Sequence, residues 1–352
     1  MIQKQMENIF QGKKILVTGG TGCIGSEIVR SVLKYKPQVV RIFSNDENAT
    51  FNMINETDAT GIKMMHEIPN KRFLIGDVRD KERVMLAMED IDIVYHAAAL
   101  KHVPLCEYNP FEAIKTNVLG TKNVIEAALE SGVDRVINIS TDKAVNPVNT
   151  MGATKLLAEK LIIDANEGKG SKPTIFSTVR FGNVSFSRGS VIPLFEEQIR
   201  QRNPITITNP EMTRYMMSLS DTIELVFKAT LLAKGGEIFI LKMPVVRLGD
   251  LVDVIIDTYA EKYHCKKETI EKRIIGLRPG EKMFEELMTE SEAAVAFETT
   301  DMLIIPPQLQ MPSLSFGVSD YPNARRCSLE RYSSRDLKPI PKEEIKRLLF
   351  SA

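Results

Sequence analysis

The sequence lacks the features of disulfide-linked, zinc-binding and membrane-spanning proteins. Its cysteines, Cys23, Cys106, Cys265 and Cys327, are spread along the chain, and none forms a Cys-x-x-Cys pair. Isolated cysteines argue against a metal site or a disulfide framework and are typical of reduced thiols in the cytoplasm. The N-terminal run MIQKQMENIFQGKK has no signal-peptide core, and no apolar segment is long enough to span a bilayer. We therefore expect a soluble, cytoplasmic protein that holds no metal and contacts no membrane.

An excess of charge of one sign is also absent. The 46 basic and 46 acidic residues cancel, so no overall field attracts the chain to nucleic acid or to an anionic membrane. We expect no nucleic-acid partner, and any anionic ligand must be held by a few local arginines. The 352 residues have an ordinary globular composition, which predicts two domains or one large sheet domain with an attached lobe.

A glycine-rich turn is the most informative feature that is present. In ILVTGGTGCIG, residues 15–25, an apolar strand leads into spaced glycines and then into the amphipathic run SEIVRSVLKY. Glycine lets the backbone turn sharply and approach a pyrophosphate, and the following helix points its free N–H groups at that anion. The strand before and the helix after favour a dinucleotide-binding turn. Its predicted cofactor-binding residues are Gly19, Gly22, Cys23, Ile24 and Gly25.

Short β-branched runs alternate with helical patterns in the first half of the chain. The runs are QVVRIF, RFLIG, DIVYHAAA, RVINIS and IFSTVRF, and segments such as FEAIKTNVLGTKNVIEAALESG separate them. Repetition of strand, helix and strand predicts an α/β fold with a doubly wound parallel Rossmann sheet. Ligands of such sheets lie beyond the carboxyl ends of the strands.

The pattern becomes less regular after about residue 181 and predicts a smaller C-terminal substrate lobe. We expect a Rossmann domain over 12–180 with a returning segment at about 215–245, and a lobe made of 181–214 and 246–300. Residues 301–352 are expected to form an extended segment with a terminal helix. The run TDMLIIPPQLQMPSLSFGVSDYP is rich in proline and serine and is expected to cross the surface. The helix should begin at Pro341 and turn Ile345, Leu348 and Leu349 inward.

The end of the second predicted strand bears on the type of cofactor. A carboxylate about 20 residues past the glycines usually binds the ribose hydroxyls of NAD and excludes a 2′-phosphate. Here RIFSNDE provides Ser44 and Asn45, which permit the phosphate, although no arginine follows to pair with it. The residues therefore favour NADP and leave NAD open. Asp46 and Glu47 lie one step further on and have capping of the next helix as their alternative role.

The third predicted strand ends in IGDVRD. Asp77 and Val78 stand where they would contact the adenine edge of the cofactor. The alternative is that Asp80 caps a helix while Asp77 lies in a turn, and the sequence does not separate the two.

The run INISTDKAVNPVNTMGATK resembles the extended branch of the short-chain dehydrogenase/reductase superfamily. The usual signature of that superfamily is a strand-end serine or threonine followed by Tyr-x-x-x-Lys, in which the lysine lowers the pKa of the phenol and holds the nicotinamide ribose. Thr141 and Lys155 match this signature, but Met151 stands at the tyrosine position. A helix beginning near Thr150 would put Met151 and Lys155 on one face. Since a thioether carries no proton, the usual acid/base is missing.

Further motifs narrow the resemblance. TDKAVNP, HAAALKHVPLCEYNP, TVRFGNV, SRGSVIPLF, MTRYMMSL and GLRPGEKMFEEL are similar to the UDP-N-acetylglucosamine 4,6-dehydratases of bacterial capsule, O-antigen and flagellin-sugar pathways, from about Gly12 to Glu286. The soluble members look closest, because the membrane-anchored members carry N-terminal spanning segments. Both tyrosine- and methionine-containing members are known, so Met151 does not by itself mark an inactive enzyme.

The resemblance implies a lyase with a tightly bound NADP or NAD that is regenerated in each cycle. Hydride leaves C4 of the sugar, the C5 proton is removed, water leaves from C6, and hydride returns to C6. Asp142 and Lys143 are implied as the pair that removes the C5 proton and protonates the leaving hydroxyl. Because Met151 is proton-inert, we expect Asp142 also to accept the O4 proton, directly or through Thr141. The alternative for this Thr-Asp-Lys triplet is a solvated surface turn.

The resemblance also assigns binding residues. A diphosphate suits a forked guanidinium, so Arg214 and Arg278 are candidates, with ordinary salt bridges as the alternative. Arg188 is a further candidate for the phosphates, while His102 has a structural hydrogen-bonding role as its alternative. Met151 would pack against the nicotinamide or the sugar. The remaining expected cofactor residues are Ala97, Ala98, Lys101, Asn117 and Lys155, and the remaining substrate residues are Lys101, Asn183, Ile205, Thr206, Ile207 and Glu281.

Two other functions stay open. A UDP-hexose 4-epimerase would use the same cofactor and a UDP-sugar but return hydride to C4, and it has no need of the Asp142 and Lys143 pair. A non-catalytic NAD(P)-binding protein is suggested only by the absent tyrosine. The sequence also leaves open whether C5 is inverted. Helices around residues 112–131 and 150–166 commonly pair between subunits in the resembling family, so a homo-oligomer is expected.

Overall fold

The structure is a computed structural model that describes residues 2–56, 70–186, 190–308 and 315–350. Its strands are β1 (Lys14–Thr18), β2 (Val39–Ser44), β3 (Lys71–Ile75), β4 (Ile93–His96), β5 (Arg135–Ile139), β6 (Ile175–Arg180), β7 (Asn183–Val184), β8 (Ile205–Ile207), β9 (Thr213–Met217), β10 (Ile238–Leu241), β11 (Val245–Arg247), β12 (Lys272–Ile274), β13 (Glu286–Met288), β14 (Phe297–Glu298), β15 (Met302–Ile305), β16 (Arg325–Arg326) and β17 (Tyr332–Ser333).

The α-helices of the described residues are α1 (Ile2–Phe10), α2 (Cys23–Leu33), α3 (Glu47–Ile54), α4 (Lys81–Met88), α5 (Val103–Tyr108), α6 (Pro110–Ala113), α7 (Gly120–Ser131), α8 (Thr150–Gly168), α9 (Val191–Arg200), α10 (Leu219–Leu232), α11 (Leu248–Lys262), α12 (Glu290–Ala293) and α13 (Lys342–Phe350). A π-helical segment, Ile114–Leu119, joins α6 to α7, and a short 3₁₀ turn spans Asp142–Ala144.

A large central sheet confirms the predicted α/β fold. Its strand order is β16-β14-β15-β10-β6-β5-β4-β1-β2-β3. The strands from β10 to β3 run parallel, whereas β15, β14 and β16 extend the sheet with antiparallel pairs. The β-branched runs predicted as strands form β2 to β6. The strand order reverses between β1 and β4, which is the place where doubly wound sheets bind their ligands.

The core lies on both faces of this sheet. Ile15 and Val17 of β1 belong to one apolar cluster, and Leu16 between them belongs to a second cluster. Burial on both faces explains why the strands are apolar throughout instead of alternating. A third cluster in the second half of the chain joins Ile205, α9 and α11 to Ile345 and Leu349 of α13.

The second half of the chain forms smaller sheets beside the large one. Their strand orders are β11-β9-β7, β12-β8 and β13-β17. The predicted surface position of the segment after residue 300 is wrong for its first part. All residues of β15 are buried, because β15 pairs with β10 and β14 inside the large sheet. The proposed domain boundaries stay a prediction.

The described residues include no helix that is both long and apolar enough to cross a membrane. They also contain no cluster of histidine, cysteine, aspartate and glutamate side chains suited to a metal ion.

Candidate active site

The glycine-rich turn between β1 and α2 has room for hydrogen atoms only. Gly19 has a φ of 64°, and a Cβ there would lie 2.7 Å from the backbone nitrogen of Ala98. A Cβ on Gly25 would lie 2.2 Å from the carbonyl oxygen of Gly19. The helix begins at Cys23, so its free N–H groups face the turn. Ile24 packs against the core of the sheet. A side chain at Gly19 or Gly25 would collide with the backbone of the turn or of the segment after β4, so this tight turn in front of a helix N-terminus requires glycine and fits a dinucleotide.

A cavity of about 510 Å³ opens at the carboxyl ends of β1 to β4. It is lined by most of the residues that the sequence predicts to bind the cofactor: Gly19, Gly22, Cys23, Ser44, Asn45, Asp77, Val78, Ala97, Ala98 and Lys101. Asp46, for which helix capping was the alternative role, also lines it, as do Arg79, Glu112 and Thr116, which were not predicted as binding residues.

The rim of this cavity carries a charged network. Arg79 donates to both carboxylate oxygens of Asp77 and, at 2.7 Å, to Glu112, while Asn45 donates to Asp77. Burial acts to raise the pKa of Asp77, but the hydrogen bonds from Arg79 and Asn45 outweigh it and hold that pKa below its usual value. Ser44 is buried, and its hydroxyl lies 2.7 Å from that of Thr21.

The helix-capping alternatives are realised beside the cavity. Asp46 accepts from the backbone of Ala49 at the start of α3, and Asp80 accepts from that of Arg83 at the start of α4. Asp77 nevertheless lines the cavity, so capping of α4 by Asp80 does not exclude Asp77 from the cavity wall.

Asn117 and Lys155 are absent from the cavity lining found among the described residues. Both form hydrogen bonds to backbone groups next to the cavity. Asn117, in the π-helical segment, exchanges hydrogen bonds with both backbone groups of Leu100 and donates to Thr154 of α8. Lys155 donates to the carbonyl oxygen of Ile139 at the end of β5, at 2.6 Å. Burial lowers the pKa of Lys155 to about 8.

Met151 is buried one turn before Lys155. It packs in a small apolar cluster with Val103, Cys106 and Ala113. Its thioether therefore fills a gap between α5, α6 and α8, a role that suits the flexible methionine side chain.

The Thr-Asp-Lys triplet forms a tight ionic turn directly after β5. Asp142 is completely buried, and its Oδ1 accepts from Thr141 at 2.8 Å and from Lys143 Nζ at 2.9 Å. Its other carboxylate oxygen, Oδ2, has no hydrogen-bond partner within the described parts of the chain. The backbone N–H of Asp142 donates to Phe181, which follows β6. The triplet is thus not a solvated surface turn.

Lys143 faces a second carboxylate that sequence reasoning missed. Its Nζ lies 3.7 Å from Oε1 of Glu285, a buried residue just before β13. Burial acts to lower the pKa of Lys143. The negative charges of Asp142 and Glu285 outweigh burial, so the pKa of Lys143 lies above its usual value. Burial also raises the pKa of Glu285 above its ordinary value. No local pattern marks Glu285, since the turn that it faces lies far away in the chain.

A second cavity, of about 340 Å³, opens beside this turn. Among the predicted residues it is lined by Lys143, Asn183, Thr206, Arg214, Arg278 and Glu281. Ile205 and Ile207 point the other way into the lobe core, because side chains alternate along β8. Asn149, Lys282 and Glu285 line the cavity without having been predicted to do so.

Two arginines of this cavity are held differently. The guanidinium of Arg214 donates to the carbonyl oxygens of Thr213 and Lys282, each at 2.8 Å, and its Nε lies 3.7 Å from Glu285. Arg278 is exposed, and its backbone N–H donates to the Glu281 carboxylate in the same loop. The guanidinium of Arg214 is therefore held in place by backbone carbonyl groups, whereas the side chain of Arg278 is exposed to solvent.

Asn149 links α8 to that loop. Its side chain caps α8 by accepting from Gly152 at 2.8 Å and donates to the carbonyl oxygen of Gly280 at 2.9 Å. The asparagine thereby holds the start of α8 and the loop of Arg278 at one edge of the cavity. A cap was predictable from the sequence, but its distant partner was not.

The two histidines near β4 have different environments. His102 is exposed and stands at the start of α5. His96 is completely buried between the hydroxyls of Thr18 and Thr121, and burial lowers its pKa to about 3. His96 is therefore neutral and structural. Arg188 lies outside the described residues.

Several known proteins are similar to this chain in sequence over most of its length. The chain is 52% identical over 346 residues to an uncharacterized membrane protein of Methanocaldococcus jannaschii, covering 98% of each chain. It is 42% identical over 305 residues to a UDP-N-acetylglucosamine 4,6-dehydratase (inverting) of Campylobacter jejuni, covering 86% of this chain and 85% of the relative. It is 39% identical over 348 residues to a UDP-glucose 4-epimerase of Rickettsia rickettsii, covering 97% of each.

A solved structure and a family model extend these similarities. The X-ray structure of Pen from Bacillus thuringiensis superimposes with a TM-score of 0.88 at 47% identity, covering 96% of this chain and 97% of that one. The model of a family described as polysaccharide biosynthesis protein matches residues 15–307. The chain therefore belongs to the polysaccharide biosynthesis protein family.

Proposed function

We propose that this protein is a UDP-N-acetylglucosamine 4,6-dehydratase. The observation that carries the proposal is the ion pair of the buried Asp142 with Lys143, whose side chain lines the same cavity as Arg214. Dehydration requires proton transfers at C5 and C6 in addition to the oxidation at C4, and this pair supplies an acid and a base for them. An epimerase has no use for a second acid/base pair of this kind.

Thr141, Asp142 and Lys143 have different roles in the proton transfers. Lys143 Nζ lies 2.9 Å from Asp142 Oδ1, and the cycle begins with Lys143 as a free amine and Asp142 as a carboxylate. The carboxylate takes the O4 proton and becomes an acid, the amine removes the C5 proton, the acid protonates the hydroxyl that leaves C6, and the ammonium returns a proton to C5. Thr141, whose hydroxyl donates to Asp142 at 2.8 Å, provides the path by which the O4 proton reaches the carboxylate.

The glycine-lined cavity is the proposed cofactor site. A nicotinamide dinucleotide, when bound, accepts the hydride from C4 and returns it to C6. Its pyrophosphate would lie against Gly19, Gly22 and Gly25, where the N-terminus of α2 stabilises negative charge. Lys155 and Asn117 hold the loops after β5 and β4 in place.

The choice between NAD and NADP depends on the rim of that cavity. Ser44 and Asn45 leave room for a 2′-phosphate, as the sequence predicts, but the guanidinium of Arg79 is already engaged by Asp77 and Glu112. Negative charge at the rim disfavours a further phosphate, so we propose NAD. Denatured protein should release NAD, identified by mass spectrometry, and release of NADP would contradict this choice.

The second cavity is the proposed site of the UDP-sugar. The forked guanidinium of Arg214, with Arg278 at the mouth, suits a diphosphate, and Asn183 would donate to the same region. Thr206, the residue of β8 that faces the cavity, would lie beside the uracil, and Glu281 would lie near the ribose.

The epimerase remains the second candidate, because the Rickettsia relative named as a UDP-glucose 4-epimerase matches nearly the whole chain. Incubation with UDP-N-acetylglucosamine followed by mass spectrometry separates the candidates. Loss of one water supports the dehydratase, whereas an unchanged mass with a new 4-isomer supports the epimerase. Unaltered substrate would point to a non-catalytic protein. A Lys143→Met variant serves as the inactive control.

Stereochemistry at C5 is the finer question. The 4-ketone makes the C5 carbanion accessible to a proton from either face, and the Campylobacter relative is named as inverting. We propose inversion, which NMR of the product at C5 tests directly. Retention of the configuration at C5 would refute it without affecting the dehydratase assignment.

Self-association is proposed from exposed apolar side chains on neighbouring helices. Leu105, Tyr108 and Phe111 of α5 and α6, and Leu157 of α8, are more than half exposed. These helices contact one another, and large apolar side chains exposed on neighbouring elements are typical of protein interaction sites. Light scattering should find a dimer or larger assembly, and Tyr108→Glu should weaken it. A monomer at every concentration would contradict the proposal.

A further inference from the structure

Glu285 occupies an unusual position in the substrate cavity. It is 4% exposed, and its Oε1 lies 3.7 Å from both Lys143 Nζ and Arg214 Nε. Its Oε2 is buried and has no hydrogen-bond partner among the residues that the structure describes. A buried carboxyl group without close hydrogen bonds is costly, so its retention calls for a role at the site.

Among the described residues, Glu285 forms hydrogen bonds through its backbone groups and not through its carboxyl group. The backbone N–H of Glu285 donates to the hydroxyl of Ser334, and its carbonyl oxygen accepts from the N–H of Ser334, each at 2.9 Å. These bonds fix the start of β13 against the segment after β17. The side chain is left to act on the charges around it.

We infer that Glu285 is a positioning residue that holds Lys143 between two carboxylates and sets its charge state in the proton transfers. This inference rests on the proposed function, because it takes Lys143 to be the group that removes the C5 proton. It assigns Glu285 to the site through Lys143, without contact to the reacting atoms.

The charges around the pair support this assignment. Lys143 is faced by Asp142 from its own turn, by Glu285 from the segment before β13, and by Arg214 from β9. Glu285 is in turn faced by Lys143, Asp142, Arg214 and Lys282. The attraction between unlike charges at this distance is strong where water is excluded, so removing one carboxylate should release the proton of Lys143 more easily.

The experiment measures the titration of Lys143 and needs no substrate. Whole protein is labelled with limiting acetic anhydride between pH 7 and pH 11, and mass spectrometry quantifies acetylation at Lys143, whose side chain is 26% exposed. Glu285→Gln removes the charge while keeping the volume. The apparent pKa of Lys143 should fall by about one unit, which makes Lys143 about tenfold more reactive below its pKa.

Matched variants separate charge from packing. Glu286→Gln removes a neighbouring carboxylate that binds Asn146, and it should leave the reactivity of Lys143 unchanged. Glu285→Asp keeps the charge and should preserve most of the wild-type titration. Should the glutamine variant not fold, Glu285→Met repeats the charge removal with an apolar side chain.

The outcomes are distinguishable from those of the proposed function. A Lys143 titration that is the same in Glu285→Gln and in the wild type overturns the inference, as does an equal shift in Glu285→Asp. In an active enzyme the acidic limb of the kcat profile should move to lower pH with the labelling curve. Absence of water loss from the substrate would instead refute the dehydratase, while the labelling would still report on Glu285.

Discussion

A Cβ atom on Gly152 would lie 2.2 Å from the carbonyl oxygen of Lys143 and 3.1 Å from its carbonyl carbon. Ordinary contacts of a Cβ are 3.4–4 Å. The first turn of α8 thus packs on the turn of Thr141 to Lys143 at a distance that only glycine allows. Gly152 lies next to Met151, so Met151 stands beside this close contact of α8 with the turn.

The closeness of Gly152 to Lys143 predicts the effect of Gly152→Ala. The methyl group should displace the turn by about 1 Å and lower kcat about 100-fold, because catalysis is sensitive to such a displacement. Steady-state kinetics and thermal unfolding measure the change. Gly168→Ala, at the exposed end of the same helix with open space around it, is the control and should behave as the wild type. Equal activity in both variants would refute the prediction.

The carboxylate of Asp142 is expected to be indispensable for turnover. Asp142→Asn keeps the volume but cannot take a proton from Thr141, so kcat should fall about 1000-fold. Thr141→Val, which removes the path for the O4 proton but keeps the carboxylate of Asp142, should lower kcat less. Single-turnover mass spectrometry follows the product. Normal turnover in Asp142→Asn together with loss of activity in Thr141→Val would contradict the assignment.

Arg214 should contribute mainly to substrate affinity. Arg214→Lys replaces a fork held by the carbonyl oxygens of Thr213 and Lys282 with a point charge, so the KM for the UDP-sugar should rise about tenfold. Calorimetry with UDP measures the same loss without relying on the reaction. Arg200→Lys, an exposed arginine of α9 paired with Glu197, is the matched control. Unchanged UDP affinity in Arg214→Lys would exclude this arginine from the nucleotide site.

His96 should make stability depend on pH. Its pKa is about 3 in the folded protein and about 6.5 when unfolded, so the unfolded state binds one more proton between these values. The contribution of His96 to the free energy of unfolding is fully present above pH 6.5. Below pH 6.5 this contribution should fall by about 1.4 kcal/mol per pH unit. Urea unfolding of the wild type and His96→Gln between pH 7.5 and pH 4.5 measures the difference. A difference that does not change with pH would contradict the buried, neutral state.

Local patterns predicted a large part of this protein. The glycine-rich turn after β1 and the strands β2 to β6 follow from spacing within a few residues, because burial on both faces of a parallel sheet leaves a continuous apolar run. Because those strands are parallel, their carboxyl ends lie at one edge of the sheet, and this brings Ser44, Asp77 and Ala97 to one cavity. The segment that contains β15 was predicted as surface because its prolines and serines mask a short buried strand.

Contacts between distant parts of the chain required the folded structure. Asn149 reaches Gly280, and Lys143 faces Glu285, across segments with no shared local pattern. The sequence alone determines the glycine-rich turn, the ionic turn of Thr141 to Lys143 and the alternation of strand and helix, since each of these depends on residues close together in the chain. Which carboxylate faces Lys143, and whether Met151 meets solvent or an apolar cluster, depends on packing between elements far apart in the chain, and that packing exists only once the sheet and the lobe have folded.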